Sequence, residues 1–157
     1  MLFSAKAEYA CVAMLELAAR HADPRPVRLG DVADKHGISD RFLVQILLDL
    51  KRAGLVESTR GAAGGYTLAR RPEEISLYDI LRVIDPPERR TGKSAVPSAR
   101  RKDAPAPARK KAELQLTIFV RNVRSVWDRV VEAQEGVLKN TTLADLVAQS
   151  EGLQYMI

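Results

Sequence analysis

Apolar residues recur at helical spacing most clearly between Val27 and Leu68. In this stretch two short helical patterns are joined through Gly37, where the absence of a Cβ favours a tight turn, and such a pair is typical of a helix-turn-helix. The second pattern begins at Ser39, a residue type that caps helices, and is predicted to end near Arg52. Its buried face should carry Leu43, Ile46, Leu47 and Leu50, and its opposite face Arg41, Gln45, Leu48 and Arg52.

A hairpin pattern follows this helix. Residues 55–59 and 66–68 have the composition of two short strands, and the loop between them contains three glycines. Glycine lets a backbone approach a surface closely, and Arg60 places a charge at the base of this loop, which suits a narrow DNA minor groove. The predicted fold is therefore a winged helix-turn-helix, mainly α with a small two-stranded β wing.

Four further helices are predicted around this unit. The first follows a cap at Ser4 and ends near Arg20, and another spans residues 77–84 before a pair of prolines stops it. A long helix is predicted from near Glu113, and a short final helix is capped by Thr142.

Large apolar residues form a continuous stripe along the predicted long helix. One winged-helix domain cannot cover a stripe of this length, so we expect a partner helix in a homodimer to cover it. The alternative is that the helix folds back on its own domain. The predicted dimerisation residues are Leu116, Phe119, Val120, Val123, Val126, Trp127 and Val130.

Composition divides the chain into three parts. A winged helix-turn-helix domain is predicted at residues 1–85, a basic Pro-rich loop at 86–112 and a dimerisation region with a final helix and an apolar tail at 113–157. Acidic and basic residues balance in the first part, so the net charge of +5 comes mainly from the loop, which is expected to be mobile. This loop is either a solvated linker or a second contact to DNA phosphates.

No constellation typical of an enzyme occurs in the sequence. It has no nucleophile paired with a base, no Gly-rich phosphate loop and no metal-ligand spacing, so neither catalysis, a metal nor a cofactor is expected. The single cysteine, Cys11, excludes an internal disulfide and is predicted to be a small core residue, with a redox-sensing thiol as the alternative. Charges interrupt every long apolar run, so no signal peptide or membrane span is expected and the protein is predicted to be cytoplasmic.

The run Arg60-Gly61-x-x-Gly64-Gly65-Tyr66 resembles the wing of the Rrf-type bacterial winged helix-turn-helix transcriptional regulators. The resemblance implies a homodimeric, sequence-specific DNA-binding regulator that acts as a repressor, with the second helix of the pair in the major groove and the wing at the minor groove. From pattern alone, a protein-interaction module is the alternative. The implied DNA-binding residues are Lys6, Tyr9, Ser39, Arg41, Phe42, Gln45, Arg52, Ser58, Arg60, Gly61, Gly64 and Gly65.

Two features of this family concern its signals. In cluster-binding members the segment that corresponds to residues 86–112 carries three cysteines, whereas here it carries none, so this chain is expected to lack an iron-sulfur cluster. Cluster-free members similar to the cysteine-metabolism repressor end in an apolar tail with an isoleucine. Resemblance to them implies that Tyr155, Met156 and Ile157 bind cysteine synthase, and the alternative is that this tail folds back onto the dimer.

Overall fold

Six α-helices and one β-hairpin form the part of the chain that this computed structural model describes, which is residues 3–86 and 106–154 for the backbone and 3–86 and 118–152 for the side chains. A short 3-10 helix, Pro72–Glu74, precedes the fourth α-helix. The predicted class, mainly α with a two-stranded wing, is confirmed. The elements are α1 (Ala5–Ala19), α2 (Leu29–His36), α3 (Asp40–Arg52), β1 (Val56–Thr59), β2 (Gly65–Leu68), α4 (Leu77–Ile84), α5 (Ala106–Lys139) and α6 (Leu143–Gln154).

Serine side chains fix where three of these helices begin. The hydroxyls of Ser4 and Ser39 accept hydrogen bonds from the backbone N–H three residues later, at 3.2 and 3.3 Å. At α4, Ser76 and Asp79 form a capping box in which each side chain accepts from the other residue's backbone N–H. The predicted starts of α1 and α3 are therefore confirmed.

The core lies between α1, α3 and α4, and α3 supplies the centre of it. Leu43, Ile46 and Leu50 are completely buried, as the helical spacing predicts. Gly37 ends α2 with φ 63°, a left-handed conformation that favours glycine, so α3 can start within three residues and cross α2. This turn sets the direction of α3 relative to α2. The face of α3 opposite its buried leucines and isoleucine remains at the surface.

The wing is an antiparallel hairpin whose register runs from the Val56 and Leu68 pair to the Thr59 and Gly65 pair. Gly65 therefore lies in β2, although the sequence pattern predicts it in the loop. Gly65 belongs to the strand because it pairs with Thr59 of β1. Val27 also exchanges two backbone hydrogen bonds with Tyr66, at 2.8 and 2.9 Å. The wing is thus attached to the segment that leads into α2.

α5 begins earlier, and α6 ends later, than the sequence predicts. α5 starts at Ala106 instead of near Glu113, because its first turns are rich in Ala, Lys and Arg, which are strong helix formers, and a proline is tolerated in a first turn. α6 continues to Gln154, into the stretch predicted as an irregular tail. Residues 87–105, most of the predicted loop, and the tail residues 155–157 lie outside the described part of the chain.

Backbone hydrogen bonds attach the end of α5 to the winged-helix domain. The N–H of Leu77 donates to the carbonyl of Thr141 at 2.9 Å, and the N–H of Leu143 donates to the carbonyl of Ile75 at 3.0 Å. The Lys139 ammonium also lies 4.5 Å from the centre of the Tyr78 ring, within cation-π range. The orientation of α5 is therefore fixed at its C-terminal end by the domain that carries α3.

Candidate nucleic-acid interface

One face of α3 is exposed and polar. Arg41, Gln45 and Arg52 are all exposed, and Leu48 between them is 37% exposed. Two α1 residues, Lys6 and Tyr9, lie beside this face, and we call the exposed α3 face together with these two the recognition surface. Arg and Gln can form paired hydrogen bonds with guanine and adenine edges, so the surface is chemically suited to the major groove.

An aromatic pair joins α1 to α3 within the recognition surface. The rings of Tyr9 and Phe42 meet edge to face, with centroids 5.9 Å apart and an angle of 87° between the planes. Phe42 is 36% exposed, and the Ser39 hydroxyl is occupied by the helix cap. The predicted site residues on α1 and α3 are therefore brought together, and packing limits the movement of both rings.

A second group of contacts links polar side chains of the same surface. The Lys6 ammonium donates to Asp49 Oδ2 at 2.7 Å, while Gln45 Nε2 and Arg52 Nη1 each lie 3.4 Å from Asp49 Oδ1. Gln45, Asp49 and Arg52 share one helix face because they are spaced by four and three residues. Asp49 thus contacts three of the predicted DNA-binding residues and was not itself predicted.

The wing follows α3 directly and is connected to it by a side-chain hydrogen bond from the Lys51 ammonium to the Ser58 hydroxyl. Arg60 at the base of the wing loop and Gly61 beside it are exposed, and Gly61 has φ 108°. Gly64 and Gly65 are more enclosed, because a Cβ on Gly64 would collide with the carbonyl of Thr59. A Cβ on Gly65 would likewise collide with the carbonyl of Val27. Both glycines therefore have an internal packing role.

Arg28 contacts the wing tip from the N-cap of α2. Its guanidinium donates to the carbonyl of Ala62 at 3.4 Å. Arg28 lines a cleft beside the wing residue Ala63, together with two further arginines. Of these two, Arg25 forms a bidentate pair with Asp23, and Arg20 lies within 4 Å of Glu16 and of an aspartate on α2. The pair between Arg25 and Asp23 is strong, because hydrogen bonds from Arg25 lower the pKa of the Asp23 carboxyl to about 2.

Sequence reasoning missed both Asp49 and Arg28. Asp49 stands four residues after Gln45, so helical spacing alone could have placed it on the recognition surface. Its strongest contact, with Lys6, spans 43 positions of the chain and left no local signal. The hydrogen bond from Arg28 to Ala62 spans 34 positions, so no local pattern indicates it either.

α5 exposes the predicted dimerisation stripe. Phe119 is 73% exposed, Trp127 62% and Val137 67%, values that are unusual for large apolar side chains. Of the other predicted dimerisation residues, Val123, Val126 and Val130 are about half exposed, Val120 is half-buried, and the side chain of Leu116 lies outside the described part.

Within the described residues, no helix has the length and apolar content needed to cross a membrane.

Cys11 is the one thiol of the sequence and has the properties of a packing residue. It is partly buried against the core, and burial, together with the nearby Glu8 carboxylate, raises the pKa of its thiol to about 11. A thiol must lose its proton to bind a metal, so this environment disfavours ligation. The described residues also contain no group of three or more His, Cys, Asp or Glu side chains that could hold a metal ion. The donor set does not fit an iron-sulfur cluster.

Comparisons with known proteins agree with this architecture. The model of the Rrf2 family, described as iron-dependent transcriptional regulators, matches residues 3–149. CymR of Bacillus subtilis, an HTH-type transcriptional regulator, is 32% identical over 154 residues, which cover 98% of this chain and 95% of CymR. A solved structure of CymR, named the global cysteine regulator of B. subtilis, matches with a TM-score of 0.70 over 95% of this chain and 98% of that chain. IscR of T. potens is 32% identical, with a TM-score of 0.70 over 98% of this chain and 91% of its own.

Proposed function

Since the chain belongs to the Rrf2 family and is a DNA-binding transcriptional regulator, we propose that it binds operator DNA as a homodimer, with the recognition surface in the major groove and the wing at the minor groove. The observation that supports this most directly is the exposed face of α3 with Arg41 and Gln45, which is followed by a wing with the exposed Arg60 at the base of its loop. We further propose that binding represses transcription.

The proposed contacts fall into two chemical classes. Arg41 and Gln45 would read base edges, because their side chains can form two hydrogen bonds to one base. Positioning on phosphates and sugars falls to the remaining side chains and to the backbone of the wing. Those positioning residues are Lys6, Tyr9, Ser39, Phe42, Arg52, Ser58, Gly61, Gly64 and Gly65, and Arg60 would enter the minor groove.

A homodimer formed through α5 would present two recognition surfaces related by a two-fold axis. Operators for such dimers are palindromic, and their half-sites are spaced by one helical turn of DNA or a multiple of it. We therefore expect the operator to be an inverted repeat. Pairing through α5 would pass the two-fold symmetry to the recognition surfaces, because the end of α5 is hydrogen-bonded to the domain that carries α3.

The test is selection of bound sequences from a library of random duplexes, followed by binding titrations with two variants. Gln45→Ala should cost about 1 to 3 kcal/mol on the selected operator and relax base preference at one position of each half-site. Arg60→Ala should weaken binding most on operators whose wing contacts have a narrow minor groove. Arg82→Ala removes an exposed arginine of α4 and serves as the matched control. Unchanged affinity in both interface variants would refute the orientation, and failure to enrich any sequence would refute the function.

We also propose that the protein works without an iron-sulfur cluster, in contrast to the iron-dependent description of the family. The support is the donor set: the sequence has a single cysteine, and its thiol is held protonated on α1. Purified protein should be colourless and should retain its operator affinity after iron chelation. Stoichiometric iron and sulfide bound after anaerobic reconstitution would contradict this proposal.

A second proposal concerns the tail and draws on the similarity to CymR, which is named a cysteine regulator. We propose that Tyr155, Met156 and Ile157 bind cysteine synthase, whose active site accepts an amino-acid carboxylate through fixed donors. Deletion of Ile157 should abolish a complex with purified cysteine synthase while dimerisation and operator affinity stay unchanged. Equal retention of the enzyme by the intact and the shortened chain in a pull-down would exclude this partner. Loss of dimerisation on the same deletion would favour a tail that folds back onto the dimer.

A further inference from the structure

An acidic side chain lies in the middle of the recognition surface. Asp49 accepts a hydrogen bond from Lys6 of α1 at 2.7 Å, and its other carboxylate oxygen lies 3.4 Å from donors of both Gln45 and Arg52. The pair with Lys6 is partly buried, since the side chains of Lys6 and Asp49 are 28% and 23% exposed. A pair shielded in this way is weakened less by dissolved salt than one at the open surface.

Asp49 remains charged at neutral pH. The hydrogen bond from Lys6 holds the pKa of the Asp49 carboxyl below its usual range, with smaller contributions from Gln45 and Arg52. The surface that would face DNA therefore carries a permanent negative charge, and two of its cations are held beside that charge. Both effects weaken attraction to phosphates, which is the main source of sequence-independent binding.

The same contacts affect the residue proposed to read bases. Gln45 is exposed, and a glutamine on a surface helix samples several rotamers unless a neighbour restrains it. The carboxylate one turn along the helix offers Gln45 an acceptor and favours one orientation. A restrained side chain loses less conformational entropy when it binds a base edge, so specific binding gains relative to non-specific binding.

We propose that Asp49 is a specificity-determining residue, which lowers the affinity for non-operator DNA by pairing with Lys6 and Arg52 and positions Gln45 for the operator. The inference rests on the proposed DNA-binding function. On non-operator DNA, Lys6 and Arg52 stay beside Asp49 instead of contacting phosphates, because leaving it would expose an unpaired carboxylate to the backbone. On the operator, the base contacts, including that of the positioned Gln45, offset the cost of releasing both cations to phosphates. Removing the Asp49 charge there removes the cost and the positioning together, so the two effects largely cancel.

Asp49→Asn tests the proposal, because it removes the charge and keeps the shape and one acceptor oxygen. Binding is measured on the selected operator and on a scrambled duplex of equal length, over a series of salt concentrations. Affinity for the scrambled duplex should rise by about tenfold, and the slope of its log K against log salt should steepen by about two for each recognition surface on the duplex, as Lys6 and Arg52 become free to contact phosphates. Operator affinity should change by less than about threefold, so the ratio between the two falls.

Two controls separate this role from simpler ones. Glu73→Gln makes the same charge change on the 3-10 helix, and a rise in non-operator affinity of equal size there would show that net charge alone is responsible. Asp49→Ala also removes the acceptor for Lys6, so a purely structural role would lower its melting temperature and leave the operator-to-scrambled ratio of both Asp49 variants at the wild-type value.

The outcomes are distinct from those that test the function itself. A wild-type protein that prefers no duplex refutes the proposed function, and the role of Asp49 falls with it. A wild-type preference that persists unchanged in Asp49→Asn, with an unchanged salt slope, overturns the inference about Asp49 alone. A lower ratio together with a steeper salt slope on the scrambled duplex supports it.

Discussion

Gly64 and Gly65 show how a motif can have a structural cause beside its functional interpretation. The backbone of the wing is so close to Thr59 and Val27 that neither glycine has room for a Cβ. Gly61 has a different reason, because its φ of 108° is a conformation that other residues rarely adopt. The three glycines therefore fix the shape of the wing in the free protein, and this shape is what would meet DNA.

Gly65→Ala should destabilise the wing. The added methyl group must displace the backbone at Val27, and overpacking of this kind costs about 1 to 3 kcal/mol. The free energy of unfolding, measured by urea titration, should fall by that amount. Gly30→Ala is the matched control, since a Cβ at Gly30 meets nothing within 4 Å and alanine favours the helix in which it lies. Equal stabilities of the two variants would show that the wing accommodates a side chain at Gly65.

What could be predicted for single residues depended on how far apart in the sequence their partners lie. The exposed face of α3 and its Ser39 cap follow from spacing within one helix, and both are confirmed. The contacts of Asp49 with Lys6 and of Arg28 with Ala62 depend on how separate elements pack, so no local pattern indicates them. The chemistry of the surface was therefore predictable, and the charge that opposes DNA binding at its centre was not.

Among the elements, α1 and α2 are joined by a cluster of charges around Glu16. Its carboxylate accepts hydrogen bonds from Lys35 at 2.5 Å and from His36 at 2.9 Å, and Arg20 lies 3.7 Å away. Burial raises the pKa of Glu16, but the hydrogen bonds from Lys35 and His36 lower it more, so the net shift is downward. These contacts hold α2 against the C-terminal end of α1, whereas Lys6 lies in the first turn of α1.

The Glu16 cluster should make the protein sensitive to acid. Because the pKa of Glu16 is lower in the folded state, its stabilising effect is complete above its ordinary pKa of 4.5 and is lost as the pH falls through the folded value. Glu16→Gln should lower the free energy of unfolding by about 1 kcal/mol at pH 7. The difference from wild type should therefore shrink as the pH falls below 4.5.

Thermal unfolding of both proteins across this pH range measures the effect. Glu8→Gln on the exposed side of the same helix is the control, and its difference from wild type should stay small at neutral pH. A constant difference between Glu16→Gln and wild type down to pH 3 would mean that the carboxylate charge is not what stabilises the contact.

The boundaries of the elements show where local pattern is sufficient. α4 begins and ends as predicted because Ser76 caps it and two prolines follow it. α5 does not, because its first turns lack the apolar spacing by which helices are recognised, although their composition favours helix. Propensity without a buried face is a weak signal in sequence, and here it determined where the helix starts.

At the scale of the whole molecule, the apolar stripe of α5 is left uncovered by the residues that the structure describes. Its exposed side chains are as large as those of the core, and they lie on a helix whose C-terminal end is tied to the DNA-binding domain. A second copy would bury the stripe and would also fix the distance between two recognition surfaces. Assembly and operator spacing would then depend on the same helix, so disrupting the stripe should affect both.

Val123→Glu with Val126→Glu should therefore produce a monomer with weak operator affinity. Both valines are 53% exposed in the single chain, so the carboxylates are tolerated there, whereas in a dimer they would be buried without partners. This should cost at least about 4 kcal/mol, or about a thousandfold in the dimer dissociation constant. Arg121→Glu with Ser125→Glu makes a larger charge change on the polar face of α5 and should remain dimeric. Analytical ultracentrifugation decides: a valine double variant that sediments as wild type does would show that this stripe is not the dimer interface.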